Sequence, residues 1–361
     1  MMAPLDIAVF GLSVTSSWGN GHATTFRALL GGLRANGHRV LFLERDMPWY
    51  AGNRDLPDPG FCELVLYDDP VLAIERHAER LRRADAVIVG SFVPDGVGVI
   101  DRLASLGLRA LLFYDIDTPV TLAGLEQGRE DYLARRQIPL FDAYLSFAGG
   151  PVLQRLETNY GARRALPLYC SVDPQSYSFD PGITKRWDLG YLGTYSDDRQ
   201  PTLERLLLEP ARRLPQMRFV VAGPQYPSGI DWPENVERME HLPPDRHGGF
   251  YNAQRFTLNV TRSAMRAMGW SPSVRLFEAA ACGTPVISDR WDGLSDLLPD
   301  GEAIVIADDT EAVVATLTAM AEEQRAAMGA AARRLVLDGH TGEARAREFV
   351  AAISELQRGR N

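Results

Sequence analysis

Residues that can do acid–base chemistry are found in the first glycine-rich loop of the chain. The tetrapeptide GNGH, residues 19–22, lies between an apolar run, residues 7–12, and a helical pattern that includes Phe26. At a helix N-terminus the positive end of the helix dipole favours the neutral, proton-accepting form of an imidazole. His22 is therefore predicted to act as a general base, with a role as a core or capping residue as the alternative.

An imidazole base needs an acceptor that orients it, and two carboxylates follow a later predicted strand. In RALLFYDIDTP, Asp115 and Asp117 come directly after the apolar residues. Because the carboxyl ends of parallel strands meet at one edge of a sheet, either carboxylate is expected to reach His22. A turn or capping role for Asp117 ahead of Thr118 and Pro119 is an equal alternative.

The glycines of the same loop allow two interpretations. Gly19 and Gly21, on either side of Asn20, match two positions of a dinucleotide-binding fingerprint, but the third glycine is replaced by Thr24. Glu44 stands where such a fingerprint has its ribose-binding acid. The simpler interpretation is a tight turn that needs positive φ angles.

The second half carries a sharper pattern, in SPSVRLFEAAACGTPVISD. Ser271, Pro272 and Ser273 open a predicted helix, whose free N–H groups, together with Arg275 in the first turn, would bind a diphosphate. Glu278 follows one turn later and is predicted to accept hydrogen bonds from ribose hydroxyls. The alternative is an i, i+3 salt bridge between the arginine and the glutamate on a solvated face.

Composition excludes several classes of protein. The formal net charge of -9 argues against a duplex nucleic-acid binder, which needs a basic surface. The chain has no apolar run long enough for a transmembrane segment and no basic signal region, so a cytoplasmic protein is predicted. Cys62, Cys170 and Cys282 follow no C-x-x-C spacing, so neither a bound metal nor a disulfide framework is expected.

Strand and helix patterns alternate through both halves, which predicts parallel sheets and an α/β fold. In the first half, helices are expected over residues 73–83, 97–106 and 126–137. A polar Pro- and Asp-rich stretch lies between the strand that ends at Leu43 and the helix that starts near Ala73, and no strand is predicted in it. A segment dense in Pro, Ser and Asp, residues 166–187, predicts a domain boundary, and two or three helices are expected after Thr310.

The motifs WGNGHAT, FLERD, DLGYLGTYSDDRQP, LNVTR and PSVRLFEAAACGTPVISD together resemble the CgeB-like branch of the GT-B glycosyltransferases. The resemblance implies two Rossmann-like domains facing across a cleft. The acceptor domain would be residues 1–172, the nucleotide-sugar donor domain residues 173–340, and residues 341–361 a helix packing back towards the first domain. A nucleotide-diphosphate sugar such as a UDP-sugar would be the co-substrate, without a cofactor or an essential metal.

The same resemblance assigns donor-site residues. Glu278 matches the second, ribose-binding Glu of an E-x7-E pattern, but Trp270 and Ser271 stand where the first Glu is expected. This departure argues against the retaining mechanism and favours inversion by a His–Asp dyad, His22 with Asp117.

Further donor-site positions follow strand ends. Arg199 and Arg262 match basic positions that hold the diphosphate in such enzymes. Gly193 and Gly223 match glycines at which the backbone approaches the donor, with turn formation as the alternative. Gly19, Asn20 and Gly21 would form the acceptor-side loop.

The predicted function is sugar transfer from a nucleotide-diphosphate sugar to an unidentified acceptor, with a small molecule, a glycan and a peptide as the open alternatives. A nucleotide-sugar epimerase of the same fold shares the donor site and is the first alternative. An NAD-dependent oxidoreductase is a weaker one, because the third glycine of its fingerprint is missing. A non-catalytic binding module would not need His22 and Asp117.

Overall fold

The computed structural model describes residues 3–18 and 20–359 and divides into two compact units. The first unit runs up to Ser171 and takes up the chain again from Gly342, and the second unit is Val172–Thr341. Each unit is built on one sheet of parallel strands, in agreement with the predicted α/β class. Within the described residues, no helix combines the length and the apolar character needed to cross a lipid bilayer.

The sheet of the first unit has seven strands in the order β3-β2-β1-β4-β5-β6-β7. Its inner strands are short apolar runs that are buried on both faces, as expected where helices cover a parallel sheet. The strands are β1 Asp6–Gly11, β2 Arg39–Arg45, β3 Glu63–Tyr67, β4 Ala86–Gly90, β5 Leu111–Asp115, β6 Ala143–Ser146 and β7 Ala165–Pro167.

Helices connect these strands, and several begin at a polar cap or at a proline in their first turn, where a missing N–H costs nothing. The helices are α1 Gly21–Ala35, α2 Pro48–Ala51, α3 Pro70–Arg83, α4 Gly96–Ala104, α5 Thr118–Glu126, α6 Pro151–Tyr160 and, after the second unit, α15 Gly342–Arg358. A 3₁₀ turn covers Arg135–Leu140.

The C-terminal helix α15 packs against α1 at very short range. A Cβ atom on Gly32 would lie 2.3 Å from the Gly342 carbonyl oxygen, and one on Gly342 would lie 2.2 Å from the Ala28 oxygen. Phe349 and Ile353 of α15 belong to the same buried core as the strands β1 and β2. Glycine is therefore needed at both positions because the two backbones touch.

The sheet of the second unit has six strands in the order β10-β9-β8-β11-β12-β13. Leu189, Phe219 and Leu258 are fully buried in its core. The strands are β8 Trp187–Leu192, β9 Phe219–Ala222, β10 Val236–Met239, β11 Gln254–Asn259, β12 Val286–Ser288 and β13 Val305–Ile306.

Eight α-helices are described in the second unit, and the first two are joined through a π-helical turn, Glu204–Leu208. A 3₁₀ turn, Pro244–Arg246, precedes α9. The helices are α7 Gln200–Leu203, α8 Glu209–Arg213, α9 His247–Asn252, α10 Ser263–Met268, α11 Val274–Ala281, α12 Leu294–Leu297, α13 Thr310–Ala319 and α14 Glu322–Gly339.

Two expectations about the first unit are wrong. The helix expected over residues 126–137 is absent, because α5 starts earlier, at Thr118 with Pro119 in its first turn, and ends at Glu126. Gly128 follows this end with a φ of 72°, a left-handed conformation that terminates helices. The stretch expected to have no strand contains β3, which lies at the edge of the sheet and is only partly buried.

Candidate active site

The first candidate site is formed where α1 begins and β5 ends. Asn20 caps α1, and its side-chain oxygen accepts a hydrogen bond of 3.0 Å from the His22 backbone N–H. The His22 Nε2 atom lies 2.5 Å from Oδ2 of Asp117. The His22 side chain is 10% exposed and that of Asp117 is 34% exposed, so the pair lies just below the protein surface.

The second ring nitrogen of His22 has no partner. Nδ1 is buried and forms no hydrogen bond. Within the neutral imidazole, a carboxylate next to Nε2 favours the tautomer with its proton on that nitrogen, which leaves the lone pair on Nδ1. The His22–Asp117 pair therefore contains one enclosed proton acceptor without a donor.

Asp115 does not contact the imidazole and is instead buried below the pair. Its carboxylate accepts hydrogen bonds from Thr121 Oγ1 at 2.6 Å, Tyr144 Oη at 2.5 Å and the Asp117 backbone N–H at 3.2 Å. Burial raises the pKa of Asp115 to about 6, and its hydrogen-bond donors oppose that rise. Asp115 thus holds the loop that carries Asp117.

The glycines of GNGH are predicted to form a tight turn, and at Gly21 this prediction is wrong. Gly21 is the first residue of α1, is not among the glycines with a positive φ, and a Cβ there would meet nothing within 4 Å. Helical backbone does not require glycine, and the space around Gly21 would accept a side chain. Gly21 therefore does not form a strained turn. Gly19 lies outside the described residues.

Glu44 is not available to bind a ribose. Its carboxylate is fully buried and accepts hydrogen bonds from Ser13 Oγ, from Thr15 Oγ1 and from the backbone N–H groups of Val14 and Thr15, at 2.6–3.1 Å. The acid holds the loop after β1, and its oxygens are already satisfied. The oxidoreductase alternative therefore loses the residue that suggested it.

The second candidate site is a cluster of arginines in the second unit. Arg275, in the first turn of α11, donates from Nε to the Leu192 carbonyl oxygen at 2.6 Å and from Nη1 to Asn259 Oδ1 at 3.2 Å. Its guanidinium also lies 5.1 Å from the centre of the Tyr191 ring. Ser273 is the N-cap residue of α11, but its side chain makes no capping hydrogen bond. Its hydroxyl donates instead to the same Asn259 oxygen, at 2.8 Å.

The positive charges of Arg262 and Arg275 both act on Arg199. Arg199 is 9% exposed, donates from Nη2 to the Thr194 carbonyl oxygen at 2.6 Å, and has a buried Nε without a partner. The pKa of Arg199 is lowered, first by burial and further by the positive charges of Arg275 and Arg262. None of these three arginines forms an ion pair with a carboxylate of the described chain.

Two glycines let the backbone pass close to this cluster. A Cβ on Gly193 would lie 2.6 Å from the Tyr191 hydroxyl and 3.1 Å from Nη2 of Arg275. Gly223 has a φ of 141°, and its Cβ would lie 2.1 Å from the Gly193 carbonyl oxygen. Close approach of two strand ends, rather than a turn alone, explains both glycines.

Glu278 follows Arg275 by one turn on α11. Its side chain is buried and accepts a hydrogen bond of 3.0 Å from the Tyr251 hydroxyl. No ion pair joins Glu278 to Arg275, so the alternative of an exposed i, i+3 salt bridge is wrong. One carboxylate oxygen is held by the tyrosine.

Asn259 was missed as a site residue, although it lies in the quoted motif LNVTR. Its Oδ1 accepts from Arg275 and Ser273, and its Nδ2 donates to Thr261 and Ser288. The available signal was an amide near the end of a predicted strand, since the carboxyl ends of parallel strands are where such sheets bind their ligands. Among residues 3–18 and 20–359, no group of three or more His, Cys, Asp or Glu side chains is placed to hold a metal ion.

Comparison with known protein families matches part of the chain to one family. Residues 199–351 match a family model described as glycosyl transferase-like. No curated protein sequence is significantly similar to the chain. The chain carries a glycosyltransferase domain, which includes the arginine cluster.

The fold resembles solved structures over almost the whole chain. Anabaena Alr3699/HepE in complex with UDP has 13% identity and a TM-score of 0.70, with 97% of this chain and 100% of that chain covered. Sucrose-phosphate synthase from Thermosynechococcus elongatus has 15% identity and a TM-score of 0.68, covering 98% and 100%. The catalytic domain of starch synthase IV from Arabidopsis thaliana, bound to ADP and acarbose, has 10% identity and a TM-score of 0.69, covering 99% and 100%.

These likenesses, at such low identity, show the fold. The two parallel sheets with their helices are the GT-B fold. Together with the glycosyltransferase domain, they define the class of the protein, which is an enzyme, a glycosyltransferase. Neither the epimerase nor the oxidoreductase alternative is favoured.

Proposed function

We propose that the enzyme transfers a sugar from a nucleotide-diphosphate sugar, with Arg199, Arg262 and Arg275 holding the diphosphate. The observation that carries the proposal is the arginine cluster without a carboxylate partner. Like charges that repel each other and remain unpaired lower stability, unless an anion completes the site. A diphosphate supplies that negative charge and offers oxygens for bidentate hydrogen bonds.

The arginines would also stabilise the leaving group. When the bond between the sugar and the diphosphate breaks, negative charge develops on the phosphate oxygen, and fixed cations lower the energy of that transition state. We propose that this happens without a divalent metal. Ser273, Gly193 and Gly223 complete the donor site, and the nucleotide is a UDP-type diphosphate.

Glu278 is proposed to bind the ribose. Tyr251 donates to Oε2 of Glu278, and the Tyr177 hydroxyl also interacts with this carboxylate. A carboxylate has about four lone-pair positions, so Glu278 keeps capacity to accept from a ribose hydroxyl. Tyr251 holds the carboxylate in one orientation, which lowers the entropic cost of binding.

We propose His22 as the base, with Asp117 as the group that orients it. The acceptor O–H proton would move to the free Nδ1, the acceptor oxygen would bond to the anomeric carbon, and the nucleoside diphosphate would leave. Direct attack by the acceptor inverts the anomeric configuration, in keeping with the missing first Glu of the E-x7-E pattern. The acceptor loop would include Gly19, Asn20 and Gly21.

Residues 1–172 are proposed as the acceptor domain, residues 173–340 as the donor domain, and residues 341–361 as an addition to the acceptor domain. Membership of the CgeB-like branch stays a prediction that rests on the quoted motifs. A cytoplasmic location stays a prediction from composition.

A thermal-shift experiment tests the donor site. UDP, ADP and GDP are added separately in EDTA and in magnesium, to the wild type, Arg275→Gln and the matched control Arg290→Gln, which removes an exposed arginine paired with Asp308. A diphosphate at 100 times its Kd stabilises by about 2.7 kcal/mol. We expect stabilisation in EDTA for the wild type and the control, and none for Arg275→Gln. Stabilisation that requires magnesium, or survives in Arg275→Gln, contradicts the proposal.

A further inference from the structure

Phe92, in the loop after β4, has a conformation that its side chain disfavours. Its φ is 60°, in the left-handed region, and its side chain is 39% exposed. A bulky residue rarely adopts this backbone, because its Cβ crowds the carbonyl oxygen. The next residue, Val93, is buried and anchors the loop, so the core does not require an aromatic ring at position 92.

The exposed ring of Phe92 packs edge-on against the proposed base. The centres of the Phe92 and His22 rings are 5.7 Å apart, with an angle of 83° between the ring planes. The loop therefore presents an aromatic surface directly beside the imidazole whose Nδ1 lacks a partner. Strained backbone that presents an exposed side chain at a site is typical of a functional position.

The position of the ring is fixed from behind. Tyr132 packs on Phe92 with ring centres 4.4 Å apart, and its hydroxyl lies 2.6 Å from Thr121 Oγ1. Thr121 in turn donates to Asp115, which also holds the backbone of Asp117. The same buried hydrogen bonds therefore position the aromatic ring and the His22–Asp117 pair.

We propose that Phe92 is an acceptor-binding residue and that the acceptor is a pyranose sugar. The C–H face of the sugar would lie on the Phe92 ring, while one hydroxyl approaches His22. This inference rests on the proposed function and names the substrate class of the same site.

The size and polarity of the surface favour one sugar ring. Tyr132 is only 8% exposed, so it does not extend the aromatic surface beyond Phe92. The His22 imidazole contacts both Phe92 and the carboxylate of Asp117, which is one-third exposed and can accept a second hydroxyl. A small apolar face next to hydroxyl acceptors matches a pyranose, whereas a lipid chain needs a continuous apolar surface.

Saturation-transfer difference NMR tests the inference without knowledge of the natural acceptor. The probes are the methyl pyranosides of glucose, galactose, mannose and N-acetylglucosamine, with sorbitol as a polyol that lacks a ring face. The proteins are the wild type, Phe92→Asn, Phe92→Trp and Phe179→Asn. Asparagine tolerates the left-handed backbone, so Phe92→Asn removes the ring without adding strain. Phe179 is a matched exposed phenylalanine of the second unit.

We expect at least one pyranoside to show saturation transfer on the C–H protons of one ring face in the wild type. The Kd obtained by titrating the signal should rise about tenfold in Phe92→Asn, which corresponds to about 1.4 kcal/mol, and stay unchanged in Phe92→Trp and Phe179→Asn. Absence of transfer to every pyranoside, an unchanged Kd in Phe92→Asn, or an equal signal from sorbitol overturns the inference.

The result is separable from the proposed function. Sugar docking on Phe92 does not need the base, so His22→Ala should keep the saturation transfer. If diphosphates fail to bind while a pyranoside still docks on Phe92, the donor-site proposal fails and the inference about Phe92 stands.

Discussion

The two candidate sites differ in how their charges are balanced. At the site in the first unit, Asp115 and Asp117 have partners from the protein itself, whereas the His22 Nδ1 atom lacks one. In the second unit, Arg199 is repelled by Arg275 and Arg262. Asp198 and Glu278 act on Arg199 and Arg275 from a distance, but no carboxylate of the described residues forms an ion pair with any of the three arginines.

This difference indicates what each site lacks. A proton acceptor without a donor needs a hydroxyl group, whereas a set of unpaired cations needs an anion. The first site is therefore suited to a neutral acceptor and the second to a charged donor. The expected effects of substitution differ accordingly, and each experiment below breaks or sharpens this contrast.

The largest effect is expected from His22→Ala. Loss of a general base lowers kcat by about 10²–10⁴-fold, and Kd for the diphosphate should stay unchanged because the arginines lie in the other unit. Asp117→Asn should cost less, since it orients the base. Turnover is measured as diphosphate release with an acceptor sugar, and His77→Ala, on α3, serves as the control. Near-normal turnover of His22→Ala, or a product with the donor's anomeric configuration, contradicts the His22–Asp117 pair.

Arg199→Gln is expected to weaken diphosphate binding without lowering the stability of the ligand-free protein. Loss of a charge-assisted contact weakens diphosphate binding by about 1.5–3 kcal/mol, or roughly 10- to 150-fold in Kd. The Tm of the ligand-free protein should be unchanged or higher, because Arg199 is buried and repelled by its neighbours. Calorimetry and thermal unfolding measure the two quantities. In the control Arg213→Gln, which breaks an exposed pair with Glu311, diphosphate affinity should stay the same. A lower ligand-free Tm with full diphosphate affinity would falsify the anion-site interpretation.

A smaller effect is expected from Glu278→Gln, which keeps the shape of the side chain and removes its charge. Nucleoside diphosphate affinity should fall about tenfold, while affinity for inorganic diphosphate should not change, because only the nucleoside carries a ribose. Tyr251→Phe removes the hydroxyl that holds Glu278 and should cause a weaker loss. If Glu278→Gln lowers stability but leaves nucleoside diphosphate affinity intact, Glu278 has a purely structural role.

The smallest effect is expected in the pH dependence of stability. Burial raises the pKa of Asp115 from its ordinary value of 3.8 to about 6. The folded protein therefore binds this proton more tightly than the unfolded chain, and the stabilisation is lost as pH rises through 6. Asp115→Asn cannot titrate, so the Tm difference between wild type and variant should shrink or reverse by a few degrees between pH 4 and pH 7. A difference that is constant with pH contradicts this assignment.

The sequence predicted the inner strands of both sheets and missed the strands at their edges. Strands β1 and β4, among others, are nearly continuous apolar runs because helices cover both of their faces. Strands β3 and β10 are edge strands with polar, partly exposed residues, so they lack that pattern. Edge strands lack the apolar pattern because of their place in the sheet. A short stretch of sequence carries no information about that place.

For the candidate site, the sequence named residues that could do the chemistry but did not predict their contacts. Asp115 and Asp117 were equal candidates to orient His22, since both follow the same strand and only the turn after β5 decides which reaches the imidazole. Phe92 was not predicted as a site residue, because its importance comes from a backbone conformation and a neighbour distant in the chain.

The return of α15 to the first unit has a consequence for the order of synthesis. The second unit is one continuous segment, Val172–Thr341, whereas the first unit needs α15 against α1 and the sheet to complete its core. During translation, the second unit can therefore close while the first still exposes the apolar surface that Phe349 and Ile353 later cover. Nascent chains that stall before residue 342 would be substrates for chaperones, because the core of the first unit is then still open.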